Sequence, residues 1–139
     1  MKIEARVQNQ HQMHLARVTT NGRETTLPIP VAASGFGSGV NGGELLFLAL
    51  ATCYCNDLYR EAAKQQITLT YVGVDVDGTF GGPGDPARDV SFRVELAGDA
   101  DRDDLIALAR HTDTVAEVQN TLRQGMPVTL VSVEVITDH

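Results

Sequence analysis

The sequence predicts an α+β fold in which a long helix packs against antiparallel sheet. Three observations favour this class: short segments of alternating apolar and polar residues, a proline-free stretch of helix formers from about Gly43 to Gln65, and two shorter helical segments after it. The predicted order is β-β-β-α-β-β-α-α-β, and 139 residues are enough for a single domain, 1–139, with its own core.

The first three predicted strands are "KIEARV", "MHLARVTT" and "ETTLPI". In the first of them Ile3, Ala5 and Val7 share one face, which is the alternation of a half-buried strand. The dipeptide Asn21-Gly22 favours a tight hairpin between the second and third strands, because both residues tolerate positive φ. The loop "PVAASGFGSGVNGG" that follows is expected to be a surface connection or a mobile rim around a site.

The long helix is expected to begin near Asn41, which can cap its first turn. Its first half, "LLFLALATCYC", is apolar on every face, whereas its second half, "NDLYREAAKQQ", is amphipathic. A helix that is apolar all round is normally buried all round, and the sheet of one small domain can cover only one side of it. We therefore expect a second chain to cover the other side.

The remaining segments complete the predicted fold. "LTYVGVDVDGTF" and "RDVSFRVEL" are expected to form a strand pair, and "DRDDLIALARH" and "VAEVQNTLRQ" two short helices, the second closed by Gly125. The segment "PVTLVSVEVIT" is predicted to be the last strand, with Val131, Val133 and Val135 on one face.

Charge and hydropathy limit the functions to consider. The formal net charge is −7 and no run of Lys or Arg is present, so nucleic acid is a poor candidate partner. The opening "MKIEARVQNQ" lacks the apolar core of a signal peptide, and the apolar run Leu45 to Cys55 is too short to cross a bilayer. We expect a cytoplasmic protein without membrane contact, in which cysteines are more often free thiols than disulfides.

The two cysteines, Cys53 and Cys55, lie in the long helix. Residues two apart on a helix point roughly 200° away from each other, so this pair cannot jointly bind a metal or close a disulfide. His11 and His14 are three apart in a strand-like segment and lie on opposite faces. The sequence therefore predicts no metal site, no cofactor and no disulfide within one chain, and leaves two alternatives: one functional thiol, or two packed ones.

The phrase "NGGELLFLALATC" resembles the OsmC/Ohr family, in which Asn-Pro-Glu-Glu-Leu-Leu, several small or apolar residues and Ala-Ala-Cys follow one another. The element order is similar over essentially the whole chain. The resemblance implies an intertwined homodimer whose long central helices lie between two sheets. It also implies a thiol-dependent hydroperoxide reductase with Cys53 as the reactive cysteine.

The residues that support the thiol in that family match only in part. Ala116 occupies the position of the second, resolving cysteine, and Gly43 that of the activating glutamate. Glu44 matches the next glutamate. The family's arginine follows the first strand, where this chain has "VQNQHQ", so Arg17 and Arg23 are the nearest substitutes.

Three functions remain open from these residues. The first is peroxide detoxification or redox sensing through the single thiol of Cys53, resolved by an external thiol. The second is a non-catalytic module that binds a small apolar ligand in a dimer pocket lined by Cys53 and three apolar residues. These residues are Phe36, Leu46 and Leu50. The third is a purely structural or partner-binding dimer.

Overall fold

The computed structural model describes residues 1–136 and confirms the α+β class, with three helices and two antiparallel sheets. The described chain divides into two compact units. The first comprises Met1–Leu48 and Thr79–Arg88, and the second comprises Ala49–Gly78 and the chain from Asp89 onwards. No helix in this part of the chain is long and apolar enough to cross a membrane.

The first unit contains a three-stranded sheet of order β1-β2-β3. Its strands are β1 (Ile3–Gln10), β2 (Met13–Thr20) and β3 (Arg23–Leu27), each antiparallel to the next. Asn21 and Gly22 join β2 to β3 with φ values of 49° and 82°, as the predicted tight hairpin requires. The loop after β3 folds back on itself through a bridge between Val31 and Ser38.

Helix α1 spans Gly42–Lys64 and starts one residue before the predicted boundary. Asn41 and Glu44 cap it reciprocally: the Glu44 N–H donates to Asn41 Oδ1 at 2.8 Å, and the Asn41 N–H donates to Glu44 Oε1 at 3.0 Å. This arrangement is a capping box, which satisfies two backbone donors that have no partner inside the helix. The predicted cap is therefore confirmed.

Replacing Asn41 by Ala is expected to lower the free energy of unfolding by about 1 kcal/mol, because the Glu44 N–H loses its acceptor. Chemical denaturation of the wild type and the variant measures this change. Asn56→Ala, at an exposed position inside the same helix, is the matched control and should change stability far less. Equal losses in the two variants would contradict the capping role.

Gly43 lies in close packing within the first unit. A Cβ atom at Gly43 would lie 2.7 Å from Cε2 of Phe80, whose ring stacks on Phe47 with a centroid distance of 5.7 Å. The position that matches the family's activating glutamate therefore has no room for a side chain unless Phe80 moves.

The second unit is built on the later turns of α1. It also contains all but the last residue of β4 (Leu69–Thr79) and all but the first residue of β5 (Arg88–Gly98), which form a two-stranded sheet. The helices α2 (Arg102–Val115) and α3 (Glu117–Gln124) belong to it as well. Its core centres on Tyr54, whose ring lies 4.9 Å from that of Phe92 and whose hydroxyl donates to the Ala109 carbonyl at 2.7 Å. The other buried members are Leu58, Ala62, Leu69, Leu108 and Ala116.

The predicted final strand is wrong for the residues that the structure describes; Thr137, its last residue, lies outside them. Residues 126–136 belong to no helix or strand, and their apolar side chains are exposed, with Val131 at 89% and Val135 at 86%. A strand needs a neighbouring edge to bind its backbone groups, and this segment pairs with no strand of residues 1–136.

The apolar first half of α1 is also less buried than expected. Leu48 is 60% exposed and Leu45 37% exposed, whereas Leu50 is almost completely buried. The expected burial on every face is thus not reached within the described chain. The arrangement of both sheets around α1 in an intertwined dimer stays a prediction.

Candidate functional site

Cys53 is half-buried on α1, and both cysteines are free thiols. Its Sγ donates to Oδ2 of Asp57, one helical turn further on, at 3.4 Å. It also lies 3.8 Å from Oε2 of Glu117, the first residue of α3. The thiol of Cys53 is thus next to two carboxyl groups.

The chain turns between α2 and α3 in a way that places Glu117 beside the thiol. Ala116, between the two helices, has extended backbone angles of −76° and 111° and is completely buried. The backbone N–H of Val118, in the first turn of α3, is close enough to Cys53 to lower the pKa of its thiol. Ala116, which matches the family's resolving position, therefore directly precedes a residue that faces Cys53.

Arg60 connects the two carboxyl groups. Its Nη1 lies 2.6 Å from Oε1 of Glu117 and 3.1 Å from Oδ1 of Asp57, and its Nε lies 2.9 Å from Oε2 of Glu61. These bonds to Glu61 and Glu117 raise the pKa of the Arg60 guanidinium above its usual range. Three acidic side chains thus share this cation, so little of its charge is free to stabilise a thiolate at Cys53.

Glu61 is the buried centre of a second set of ion pairs. Lys64 and Arg60 bind its Oε2, both at 2.9 Å, and Nε2 of His111 lies 2.8 Å from its Oε1. The bond to Lys64, followed by those to Arg60 and His111, lowers the pKa of Glu61 to about 2. Glu61 is therefore a permanent carboxylate that holds Arg60 in place.

The pKa values of the two carboxyl groups beside Cys53 are shifted in opposite directions. Burial, then the hydrogen bond to Glu117, raises the pKa of Asp57. The same hydrogen bond is the main reason that the pKa of Glu117 falls to about 2. The two carboxyl groups therefore interact strongly, and Glu117 is the one that keeps its charge to the lowest pH.

The pKa of the Cys53 thiol is raised. Burial is the largest cause; the Val118 N–H opposes it, while Asp57 and Glu117 raise the pKa further. The neutral thiol is thus the dominant form at neutral pH. Since peroxide cleavage needs the thiolate, these surroundings slow the reaction.

The other residues singled out from the sequence have local roles. Glu44 caps α1, and Arg17 on β2 donates from Nη2 to Gln8 at 2.7 Å and lies 3.7 Å from Glu24. Arg23 is exposed at the start of β3.

The residues proposed to line a pocket belong to different units. Phe36 and Leu46 lie in the first, where the Phe36 ring is 4.8 Å from that of His11. Leu50 and Cys53 lie in the second, where the Leu50 carbonyl accepts from Nε2 of Gln119 at 2.9 Å.

A separate apolar groove exists in the first unit. It has a volume of about 830 Å³ and lies along β1, β2 and the beginning of α1. Its apolar lining includes Val7, Val18, Leu27, Ile29, Val40 and Leu45. Arg17 also lines this groove.

Sequence reasoning missed Asp57, Arg60 and Glu117. The spacing of four between Cys53 and Asp57, and of three between Asp57 and Arg60, places these side chains on one face of a helix and was available from the sequence. Glu117 could not be found in the same way, because its approach to Cys53 depends on how α3 packs.

Comparison with known proteins gives one family. The model of the OsmC-like protein family matches residues 35–131. A search of curated proteins finds no match.

Three solved structures have a similar fold. The OsmC-like protein from Mycoplasma pneumoniae has a TM-score of 0.61 and 18% identity, with 88% of this chain and 86% of that chain covered. An OsmC-like hydroperoxide resistance protein from Jannaschia sp. CCS1 has a TM-score of 0.54 and 15% identity, with 91% of this chain and 87% of that chain covered. The organic hydroperoxide resistance protein OsmC from Legionella pneumophila has a TM-score of 0.54 and 17% identity, with 88% of this chain and 90% of that chain covered.

Proposed function

Because this chain belongs to the family of OsmC-like proteins, we propose that it is a cytoplasmic homodimer in which the single thiol of Cys53 reduces hydroperoxides slowly. The position of the half-exposed Cys53 sulfur supports this proposal most directly. The sulfur lies beside the first turn of α3, next to Glu117, which is the residue that follows Ala116. Two of the proteins of similar fold are described as hydroperoxide resistance proteins, which supports the same chemistry.

The reaction needs one thiol and one hydroperoxide. The sulfur of Cys53 attacks the terminal peroxide oxygen, a sulfur–oxygen bond forms as the oxygen–oxygen bond breaks, and the thiol proton ends on the departing alkoxide. The products are a sulfenic acid and an alcohol. An external thiol then returns the sulfenic acid to the thiol and releases water, through a mixed disulfide that a second external thiol reduces.

Three features support a slow reaction without internal resolution. Asp57 and Glu117 place acidic groups beside the sulfur, and Arg60 is shared among three carboxylates. Ala116 offers no second sulfur. Gly43, packed under Phe80, offers no carboxylate.

The sulfenic acid formed at Cys53 is expected to persist in the wild type. After treatment with cumene hydroperoxide, labelling with dimedone followed by mass spectrometry should find the adduct on Cys53 and none on Cys55. In the variant Ala116→Cys the adduct should be replaced by a disulfide between Cys53 and the introduced cysteine, whereas the control Ala116→Ser should keep the adduct.

Equal loss of peroxide with the wild type and with Cys53→Ser would overturn the proposal. Binding of a small apolar molecule would then be the better account. The groove lined by Val7, Leu27 and Leu45 supports that second function.

The homodimer is supported by exposed apolar surface in both units. Leu48 on α1 and the valines of residues 126–136 are largely exposed. Alternating valines form a strand as soon as a neighbouring edge supplies hydrogen bonds, and a second copy of the chain supplies such an edge.

A further inference from the structure

We propose that Cys53, Asp57 and Glu117 form a binding site for one borderline-soft divalent metal ion, with zinc as the best fit. This inference goes beyond the thiol chemistry proposed above and does not depend on it. The three donor atoms, Sγ, Oδ2 and Oε2, all lie within 4.8 Å of one another.

The distances between the donor atoms suit a tetrahedral ion. A zinc ion about 2.3 Å from sulfur and about 2.0 Å from a carboxylate oxygen places those two atoms roughly 3.5 Å apart. The sulfur of Cys53 lies 3.4 Å from Oδ2 of Asp57 and 3.8 Å from Oε2 of Glu117. Both distances are close to this value, and the two carboxylate oxygens lie within 4.8 Å of each other.

Each carboxylate has one oxygen left for a metal. Arg60 binds Oδ1 of Asp57 and Oε1 of Glu117, so that Oδ2 and Oε2 face the thiol. In metal sites, side chains outside the ligand shell commonly orient the ligands through their second atom. Arg60, itself held by Glu61, has this position here.

The side-chain oxygen of Gln119, which connects α3 to α1, is a buried hydrogen-bond acceptor without a donor among the described residues. Gln119 on α3 is 3% exposed, and its Nε2 donates to the carbonyl of Leu50, three residues before Cys53 on α1. Its Oε1 has no hydrogen-bond partner within residues 1–136. A water molecule on the open fourth position of a three-ligand zinc site is a donor of the kind that this oxygen lacks.

The ligand chemistry selects the metal. A thiolate favours zinc, cobalt and similar ions over magnesium and calcium, which prefer oxygen ligands throughout. Binding displaces the thiol proton of Cys53, which passes to the solvent. No metal site was predicted from the sequence because only the two cysteines and two histidines were weighed as ligands. Asp57 was not among them.

Titration with Co²⁺ tests the site in full-length protein that has been reduced and freed of metals. We expect a thiolate-to-cobalt charge-transfer band in the near ultraviolet that saturates at one equivalent and disappears on addition of Zn²⁺. Cys53→Ser should abolish the band, and Glu117→Gln, at an exposed position, should weaken cobalt binding by at least about tenfold. Cys55→Ser is the matched control and should leave band and affinity unchanged.

Three results would overturn the proposal: no band at millimolar Co²⁺, a band that survives Cys53→Ser, or an equal loss in Cys55→Ser. Far-ultraviolet circular dichroism of each variant verifies that the helices are intact. No peroxide is present in the titration, so its outcome is independent of the proposed peroxidase activity.

Discussion

Replacing Leu48 by Asp is expected to abolish the homodimer. On a monomer the change would be mild, because Leu48 is 60% exposed and substitutions at exposed positions usually alter the free energy of unfolding by no more than about 0.5 kcal/mol. At an interface the aspartate would be buried without a partner, which costs on the order of 3 kcal/mol or more. Such a cost weakens the dimer on the order of 100-fold.

Sedimentation velocity over a range of concentrations measures the effect. The wild type should sediment as a dimer at micromolar concentration, and Leu48→Asp as a monomer or as unfolded chain. Leu122→Asp, at a helix position that is 47% exposed, is the matched control and should remain dimeric. A folded wild-type monomer at micromolar concentration would defeat the prediction.

Replacing Asp57 by Asn is expected to accelerate the oxidation of Cys53. Asp57 raises the pKa of the thiol through its hydrogen bond and its charge, after the larger effect of burial. Removing it lowers the thiol pKa, so more thiolate is present at neutral pH. Each unit of lowered pKa should raise the rate roughly three- to fourfold, because the tenfold gain in thiolate is partly offset by lower nucleophilicity.

The direction of the pH dependence follows from the raised thiol pKa. Below that pKa the rate should increase about tenfold for each pH unit, since the thiolate fraction does so. In Asp57→Asn the plateau should be reached at lower pH. Glu117→Gln is a poorer probe, because it would also remove the ion pair between Glu117 and Arg60.

Stopped-flow oxidation with cumene hydroperoxide, in the presence of a chelator, measures both rates. Cys55→Ser is the common background, so that only one thiol reacts. Asp75→Asn, an exposed aspartate on β4, is the matched control and should leave the rate unchanged. A slower Asp57→Asn variant would contradict the prediction and would mean that this carboxyl group accepts the thiol proton during the reaction.

Most of the fold could be predicted because its signals are local. The start of α1 follows from Asn41 and Glu44, and the β2–β3 hairpin from Asn21-Gly22, since in each case the residues that determine the geometry are adjacent in sequence. The final strand could not be predicted in the same way. Alternating valines show that residues 126–136 are able to form a strand but do not show which edge would bind them.

The residues of the candidate site could also be predicted only where their signals are local. Cys53 was found because its helix resembles a family motif, and Asp57 lies at a helical spacing that the sequence displays. The contribution of Glu117 depends on the packing of α3 against α1, which brings together residues 64 positions apart. The low reactivity expected of the thiol arises from the burial of Cys53 first and from these two acidic neighbours second.

The packing of Phe80 on Gly43 also restricts the order in which the sequence can change during evolution. A glutamate at position 43 would place its Cβ 2.7 Å from a ring that is already stacked on Phe47, so Gly43→Glu alone displaces that ring. Substitution of Phe80 by a small residue first would remove the obstacle. The two positions are in contact and their effects are therefore not additive. A carboxylate at position 43 therefore requires that the ring of Phe80 has been displaced or lost.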